Sequence, residues 1–231
     1  MISQRQGEIL NRIVREYIER ALPVSSQLLE KKYKFGLSSA TIRNEMQELT
    51  DEGYLLQPHI SAGRVPTDKG YRFFVDELLE NNLRDFEKDF RKQMADSFEF
   101  VKEATRFLAE ESSELALGYL ADQKIIWKEG WQEIFEEPEF SEPGFAANFA
   151  RMINDFEGNI EEMFLPDTPH QNKFGTGQVK IYIGKENPVS KAKDFSIITS
   201  GFEGGFFAIL GPKRMSYDKN IELFHKLWEK I

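Results

Sequence analysis

Three serines each stand directly before a short amphipathic segment, and this repeated pattern constrains the start of the chain more than any other feature. Ser3 and Gln6 form a capping-box pattern before a stripe of apolar residues that recurs at helical spacing from Ile9 to Ile18. Ser25 and Ser38 precede two further amphipathic segments. Because a serine hydroxyl accepts a hydrogen bond from the first turn of a helix, the pattern predicts three successive short helices.

The second and third of these segments are joined by a tight turn that contains Gly36. The third helix spans roughly 39–52 and carries Ile42, Met46 and Leu49 on its inner side. Gly53 follows at the position where a left-handed residue commonly ends a helix. Two short helices joined by a tight turn are typical of a helix-turn-helix motif.

A two-stranded wing is predicted after the third helix. Residues 54–57 form a short strand, Pro58 to Gly63 is rich in turn residues, and Arg64 with Val65 begins the returning strand. Thr67 then caps a fourth helix. The first 79 residues are therefore predicted to form a winged helix-turn-helix domain.

The polar residues of this domain suit contacts with DNA. An arginine side chain can form two hydrogen bonds with guanine, and asparagine or glutamine can do so with adenine. Arg64, beside Gly63, is expected at the tip of the wing, near a phosphate or the minor groove. The predicted DNA-binding residues are Ser25, Ser38, Ser39, Thr41, Arg43, Asn44, Gln47, His59, Ser61 and Arg64. A structural three-helix core with a solvated polar face would give the same pattern.

Charge and composition restrict where a nucleic acid could bind. Residues 1–78 carry equal numbers of basic and acidic residues, so the net charge of −9 lies entirely in the remainder of the chain. An acidic body repels DNA, and a DNA contact must therefore come from a local surface of the first domain. The chain has no cysteine and no apolar run long enough to span a membrane, which favours a cytoplasmic protein that does not bind a membrane.

Residues 80–115 are predicted to form a long amphipathic linker helix, because they contain no proline or glycine and their apolar residues recur at intervals of three and four. This helix either pairs with a second copy of the chain or packs on the C-terminal domain, and the pattern alone leaves both open. The predicted dimerisation residues are Leu83, Phe86, Phe90, Met94, Phe98, Val101 and Leu108.

The remaining residues, 116–231, show the alternating and helical patterns of a mixed α/β domain, so the fold class of the whole chain is α+β. Strands are predicted at 179–183, 195–199 and 206–210, with a hairpin at 116–128 and a last helix at 217–230. With three histidines, no cysteine and no P-loop or HExxH motif, we expect no enzyme, no cofactor and no metal site.

Residues 36–79, and above all the run SAGRVPTDKGYRFFVD, resemble the DNA-binding region of the HrcA family of heat-inducible transcription repressors. The segments GWQEIFEEPEF at 130–140 and IYIGKENP at 181–188 resemble the C-terminal half of the same family, which is a GAF-like domain. The resemblance implies a homodimeric repressor that binds an inverted-repeat operator of chaperone operons and whose activity depends on the GroEL chaperonin.

Two departures from the family pattern stand out. Family members carry a long insert, including a dimerising domain, where this chain has only Leu117 to Lys128, so the GAF-like sheet is expected to be reduced. Ile60 stands at the wing where a small polar residue is expected. Two alternatives follow: a regulator of other genes whose shortened domain senses a ligand, or a winged-helix protein-interaction module that does not bind DNA.

Overall fold

The protein contains both helices and antiparallel sheets, as predicted for an α+β fold. The structure is a computed structural model and describes residues 2–81, 97–160, 162, 177–190, 192–202 and 204–230. Contacts divide the chain into two units, Met1–Asn82 and Leu83–Ile231, each with a core of its own. The finer division at 1–79, 80–115 and 116–231 remains a prediction.

The first unit consists of four helices and one short hairpin. The elements are α1 (Gln4–Arg20), α2 (Ser26–Lys32), α3 (Ser39–Asp51), β1 (Leu55–Leu56), β2 (Val65–Pro66) and α4 (Asp68–Asn81). The two strands pair antiparallel, with Leu55 opposite Pro66. Ile9, Ile13, Ile42 and Leu49 are all fully buried, so the stripes read from the sequence meet in one core.

All three predicted serine caps are present. Ser3, Ser25 and Ser38 each accept a hydrogen bond from the backbone N–H three residues later, and Gln6 completes the capping box of α1. These caps satisfy backbone donors that a helix leaves unpaired at its start. They therefore fix where α2 and α3 begin, and with them the orientation of the first turn of α3.

The second unit is built on a five-stranded antiparallel sheet with the order β4-β3-β7-β6-β5. The strands are β3 (Leu115–Leu120), β4 (Ile125–Glu129), β5 (Val179–Ile183), β6 (Phe195–Phe202) and β7 (Gly205–Pro212). The helices are α5 (Ser97–Ser112), α6 (Trp131–Phe135), α7 (Pro143–Gly158) and α8 (Tyr217–Lys230). A short 3-10 turn, Pro138–Ser141, joins α6 to α7.

Helices cover the sheet on both faces. On one face Phe149 of α7 packs against Phe195, with ring centroids 5.3 Å apart. On the other face α8 lies against the sheet, and the indole of Trp228 donates a hydrogen bond of 2.9 Å to Ser200 Oγ.

α5 lies on this second face and crosses β3 at Gly118. A β-carbon at Gly118 would lie only 2.5 Å from a methyl carbon of Val101. Glycine therefore allows α5 to lie directly on the sheet.

The apolar face of α5 is buried within its own unit, which agrees with one of the two alternatives for the linker. Val101 is 1% exposed and Leu108 is fully buried, while Phe98 stacks edge-on against Trp127 at 5.7 Å. The helix packs on the sheet of the second unit, and the dimerisation role of Val101 and Leu108 remains a prediction. Four other predicted dimerisation residues lie outside the described residues, namely Leu83, Phe86, Phe90 and Met94.

Val101→Asp is therefore expected to disrupt the second unit rather than produce folded monomers, because an aspartate at this position would be a buried charge without a partner. All three tryptophans of the chain lie in this unit. The near-ultraviolet circular dichroism of tryptophan should be largely lost in this variant. Glu103→Asp, at an exposed position of α5, is the matched control and should retain the signal. A monomer with native tryptophan signals would restore the dimer interpretation of Val101.

Glu114, between α5 and β3, is a buried carboxyl group. It is 4% exposed, and within the described part of the chain its Oε2 atom has no hydrogen-bond partner. Burial, and next the nearby carboxylate of Glu137, raise the pKa of Glu114 well above its ordinary range. Arg214, whose guanidinium pairs with Glu137 and Glu139, lowers the pKa of Glu114 by less than burial and Glu137 raise it.

A raised pKa in the folded state means that folding favours the protonated form of Glu114. Its contribution to stability is thus complete below the ordinary glutamate pKa of 4.5 and is lost as the pH rises toward the raised value. Glu114→Gln should remove this loss, so the variant should gain stability relative to the parent as pH increases from acidic to neutral. Melting temperatures of both proteins across this range measure the effect. Parallel curves for the two proteins would contradict it.

Candidate nucleic-acid interface

The start of α2, the side of α3 and the β1–β2 hairpin enclose a shallow open depression of about 390 Å³, which we call the hairpin groove. The groove is bordered by Ser25, Gln27, Arg43, Ile60, Ser61 and Arg64, among others. Four of the ten predicted DNA-binding residues therefore share one surface: Ser25, Arg43, Ser61 and Arg64. This open surface combines a helix end, exposed polar groups and a turn, so a nucleic acid backbone could lie along it.

Arg43 and Asn44 are exposed in the N-terminal half of α3. Neither side chain has a polar partner among the described residues, so both are available to a ligand. They lie opposite the inner side of α3, where Ile42, Met46 and Leu49 are buried. A guanidinium and an amide at adjacent positions provide the donor and acceptor pattern that base edges require.

Two of the three acidic residues of α3, Glu45 and Glu48, contact side chains of α1. Arg5 Nη1 lies 3.2 Å from Glu45 Oε1, and Gln6 Nε2 donates a hydrogen bond of 2.7 Å to Glu48 Oε2. These contacts keep both carboxylates away from the side of α3 that borders the hairpin groove. The third acidic residue of α3, Asp51, accepts a hydrogen bond from Gln47 instead.

Arg64 is not at an exposed tip, which corrects the sequence-based placement. It is 9% exposed and its guanidinium donates to Thr50 Oγ1 at 2.9 Å and to Gln47 Oε1 at 2.8 Å. Its backbone pairs with Val24 in an antiparallel bridge, with hydrogen bonds of 2.8 and 2.9 Å. Gly63 permits this approach, since a β-carbon there would lie 2.2 Å from the carbonyl oxygen of Val24. Arg64 connects the hairpin to α3 and to the segment before α2.

Gln47 is exposed, but both ends of its amide are engaged. Its oxygen accepts from Arg64, and its nitrogen donates to Asp51 Oδ1 at 2.8 Å. The amide is therefore held in one orientation, with one N–H hydrogen left over as a donor. A Gln47 side chain fixed in this way is pre-organised for contact with an acceptor.

The hydroxyl residues mainly order the ends of the helices. Ser38 Oγ caps α3 and lies 3.0 Å from Thr41 Oγ1, while Ser39 Oγ lies 3.0 Å from Ser26 Oγ. The Ser26–Ser39 contact links the first turns of α2 and α3. Ser25 and Ser38 are exposed, so their hydroxyls can still reach a phosphate oxygen.

The turn of the hairpin is ordered by Gln57, a residue that the sequence analysis did not select. Gln57 Nε2 donates to the carbonyl oxygens of Ile60 and Ala62, at 2.9 and 3.0 Å. His59 and Ser61 are exposed on this turn. The sequence contained one indication of this role. Gln57 stands directly before the turn-rich stretch, where a polar side chain can replace missing backbone hydrogen bonds.

Within the described ranges, no helix is long and apolar enough to cross a membrane, and no group of three or more acidic or histidine side chains could hold a metal ion. Arg214 lies in the sequence shortly before the last helix. Arg214 is tied to Glu137 and Glu139, with Nε 2.7 Å from Glu139 Oε1. Its guanidinium is therefore occupied by two carboxylates.

Comparison with known proteins identifies the family. The family model described as HrcA protein C terminal domain matches residues 66–221, about two thirds of the chain. The chain belongs to the HrcA family. The resemblance read from the sequence is thereby confirmed.

Relatives named heat-inducible transcription repressor HrcA match nearly the whole chain. The protein from Thermodesulfovibrio yellowstonii is 27% identical over 337 positions, covering 96% of this chain and 95% of the relative. The protein from Chlorobium phaeobacteroides is 24% identical over 342 positions, covering 100% and 97%. Both alignments are much longer than the 231 residues of this chain, so these HrcA relatives contain a large block without a counterpart here.

A shorter stretch is more similar. The HrcA protein from Acetivibrio thermocellus is 53% identical over 81 residues, which is 35% of this chain and 23% of the relative. Among solved structures, a crystal structure described only as a hypothetical protein has a TM-score of 0.77 at 21% identity, covering 99% of this chain and 96% of that chain. The latter similarity shows that the fold is shared.

Arg64→Ala is expected to loosen the first unit, because it removes a buried charged donor from both Gln47 and Thr50. Loss of such hydrogen bonds should lower the free energy of unfolding of this unit by about 2 kcal/mol. Hydrogen exchange of the α3 and β2 backbone amides in the full chain measures this change. Arg43→Ala, at an exposed position, is the control and should leave exchange unaltered. Unchanged hydrogen exchange in Arg64→Ala would contradict this stabilising role of Arg64 and would favour the phosphate contact predicted from the sequence.

Proposed function

We propose that this chain is a transcriptional repressor that binds a specific sequence of double-stranded DNA through α3 and the β1–β2 hairpin. The observation that carries the proposal is the exposed pair Arg43 and Asn44 on α3, neither of which has a polar partner among the described residues, whereas Glu45 and Glu48 contact Arg5 and Gln6 of α1. The relatives named transcription repressors support it. In this interpretation the first unit is a winged helix and the second is a GAF-like domain.

The arrangement suggests how DNA would be bound. α3 would enter the major groove with its N-terminal half toward the base edges, while α2 crosses the backbone. Ser38, at the start of α3, would donate its hydroxyl to a phosphate, and the partial positive charge of the helix terminus would favour the same anion. His59 and Ser61 on the hairpin turn would contact the flanking backbone or minor groove.

The repressor would act as a homodimer on an inverted-repeat operator, because two half-sites related by a two-fold axis require two copies of the domain. The side chains of Val101 and Leu108 are covered by their own sheet, so the dimer would form elsewhere. Contacts by Leu83, Phe86, Phe90 and Met94 remain part of the proposal.

The regulated genes are proposed to be heat-shock operons that encode chaperones, in the cytoplasm. The relatives carry the name heat-inducible, which supports a response to heat. Dependence on the GroEL chaperonin rests on the family resemblance alone. Selection of genomic fragments bound by the purified chain would identify the operator directly.

The sharpest test separates base contacts from phosphate contacts. Arg43→Ala should weaken binding to the selected operator by about 1–3 kcal/mol and change binding to scrambled DNA little, because a bidentate base contact discriminates between sequences. Titrations of operator and scrambled duplexes at several salt concentrations measure both. Arg12→Ala, an exposed arginine on α1 outside the hairpin groove, is the matched control and should alter neither affinity.

Two outcomes would contradict the proposal. Equal weakening of both duplexes by Arg43→Ala would make α3 a positioning element rather than a base-reading one. Absence of binding by the parent chain to any duplex, at low salt and with genomic fragments in excess, would favour an interaction module without DNA binding.

A further inference from the structure

The hairpin turn presents one apolar side chain entirely to solvent. Ile60 is 99% exposed, whereas the other exposed large apolar side chains in the described residues range from 38% to 60%. Its neighbours His59 and Ser61 are exposed and polar. A single exposed isoleucine on a flexible loop needs no explanation. An exposed isoleucine on a turn with a fixed conformation indicates a function, so the contacts that hold this turn are decisive.

The turn is held in place by four separate contacts. Ala62 N–H donates to the carbonyl oxygen of His59 at 2.8 Å, and Gln57 donates to the carbonyl oxygens of Ile60 and Ala62. Directly after the turn, Arg64 pairs with Val24. The carbonyl of Ile60 itself is one of the anchored groups. An apolar side chain on such a turn is pre-organised to enter a partner, since little conformational freedom is lost on binding.

Ile60 also faces the same surface as the base-reading arginine. Ile60 and Arg43 both border the hairpin groove. The turn from Gln57 to Arg64 contains no acidic residue that would repel phosphates. When α3 lies in the major groove, this turn meets the duplex beside the half-site, where the minor groove faces the protein.

We propose that Ile60 is a wedge that enters the minor groove beside each half-site and opens a flexible base step there. This inference rests on the proposed function. An isoleucine gains nothing from phosphates, but its side chain can contact the sugar edges and the faces of partly unstacked bases, as apolar wedges do in proteins that bend DNA. Pyrimidine–purine steps such as TA and CA open most easily, so Ile60 would select for them at a position that no hydrogen bond reads.

The experiment compares the parent chain with Ile60→Ser on the selected operator and on a version whose flanking pyrimidine–purine steps are replaced by stiffer steps. The parent should bind the stiff version about tenfold more weakly, whereas Ile60→Ser should bind the two equally. Circularly permuted fragments in gel electrophoresis should show a bend with the parent that Ile60→Ser loses. Leu56→Ser, at another exposed apolar position of the hairpin, is the control and should keep both the preference and the bend.

The possible results separate this inference from the proposed function. Operator binding by the parent chain together with equal step preference and bend in Ile60→Ser would overturn the wedge and leave the repressor intact. Failure of the parent to bind any duplex would overturn both. Ile60→Phe keeps an apolar side chain at the turn and should retain the bend. If Ile60→Ser, Ile60→Phe and Leu56→Ser all lost the bend, the specific role of Ile60 would be overturned.

Discussion

The buried guanidinium of Arg64 is the contact on which the hairpin groove depends. Three segments that are distant in sequence meet at this residue: its backbone pairs with Val24, and its side chain donates to Gln47 and Thr50 of α3. A guanidinium has a fixed fork of donors, so it sets direction as well as distance. The hairpin and α3 thereby present their exposed residues on one side, and the groove between them keeps its shape.

Local sequence signals predicted much of this fold. The caps at Ser3, Ser25 and Ser38, and the strand Val179–Ile183, were predicted because each depends on residues a few positions apart. The role of Arg64 was not, since its partners lie 14 and 17 positions earlier and a glycine-flanked turn reads as an exposed tip. The exposed positions of Arg43 and Asn44 followed from helical periodicity, whereas the engagement of Gln47 did not.

The second unit shows a similar limit. The apolar spacing of α5 was compatible with a partner helix or with a sheet, and the pattern contains no information on which of the two covers it. The structure places Val101 and Leu108 against the sheet of their own chain. The sequence predicted a reduced sheet. The observed sheet has five antiparallel strands, and helices cover both of its faces. The second unit therefore encloses a core.

Gly118 has a consequence for which residues α5 and β3 can carry. A side chain there would meet Val101 and Thr105, two buried residues of α5, at distances below 3 Å. α5 can therefore lie directly on the sheet only because residue 118 has no β-carbon. An exposed position of α5 such as Glu103 has no such neighbour, but a side chain at Gly118 would require the helix and the strand to change together. The residues that can stand at position 118 and at position 101 are thus linked.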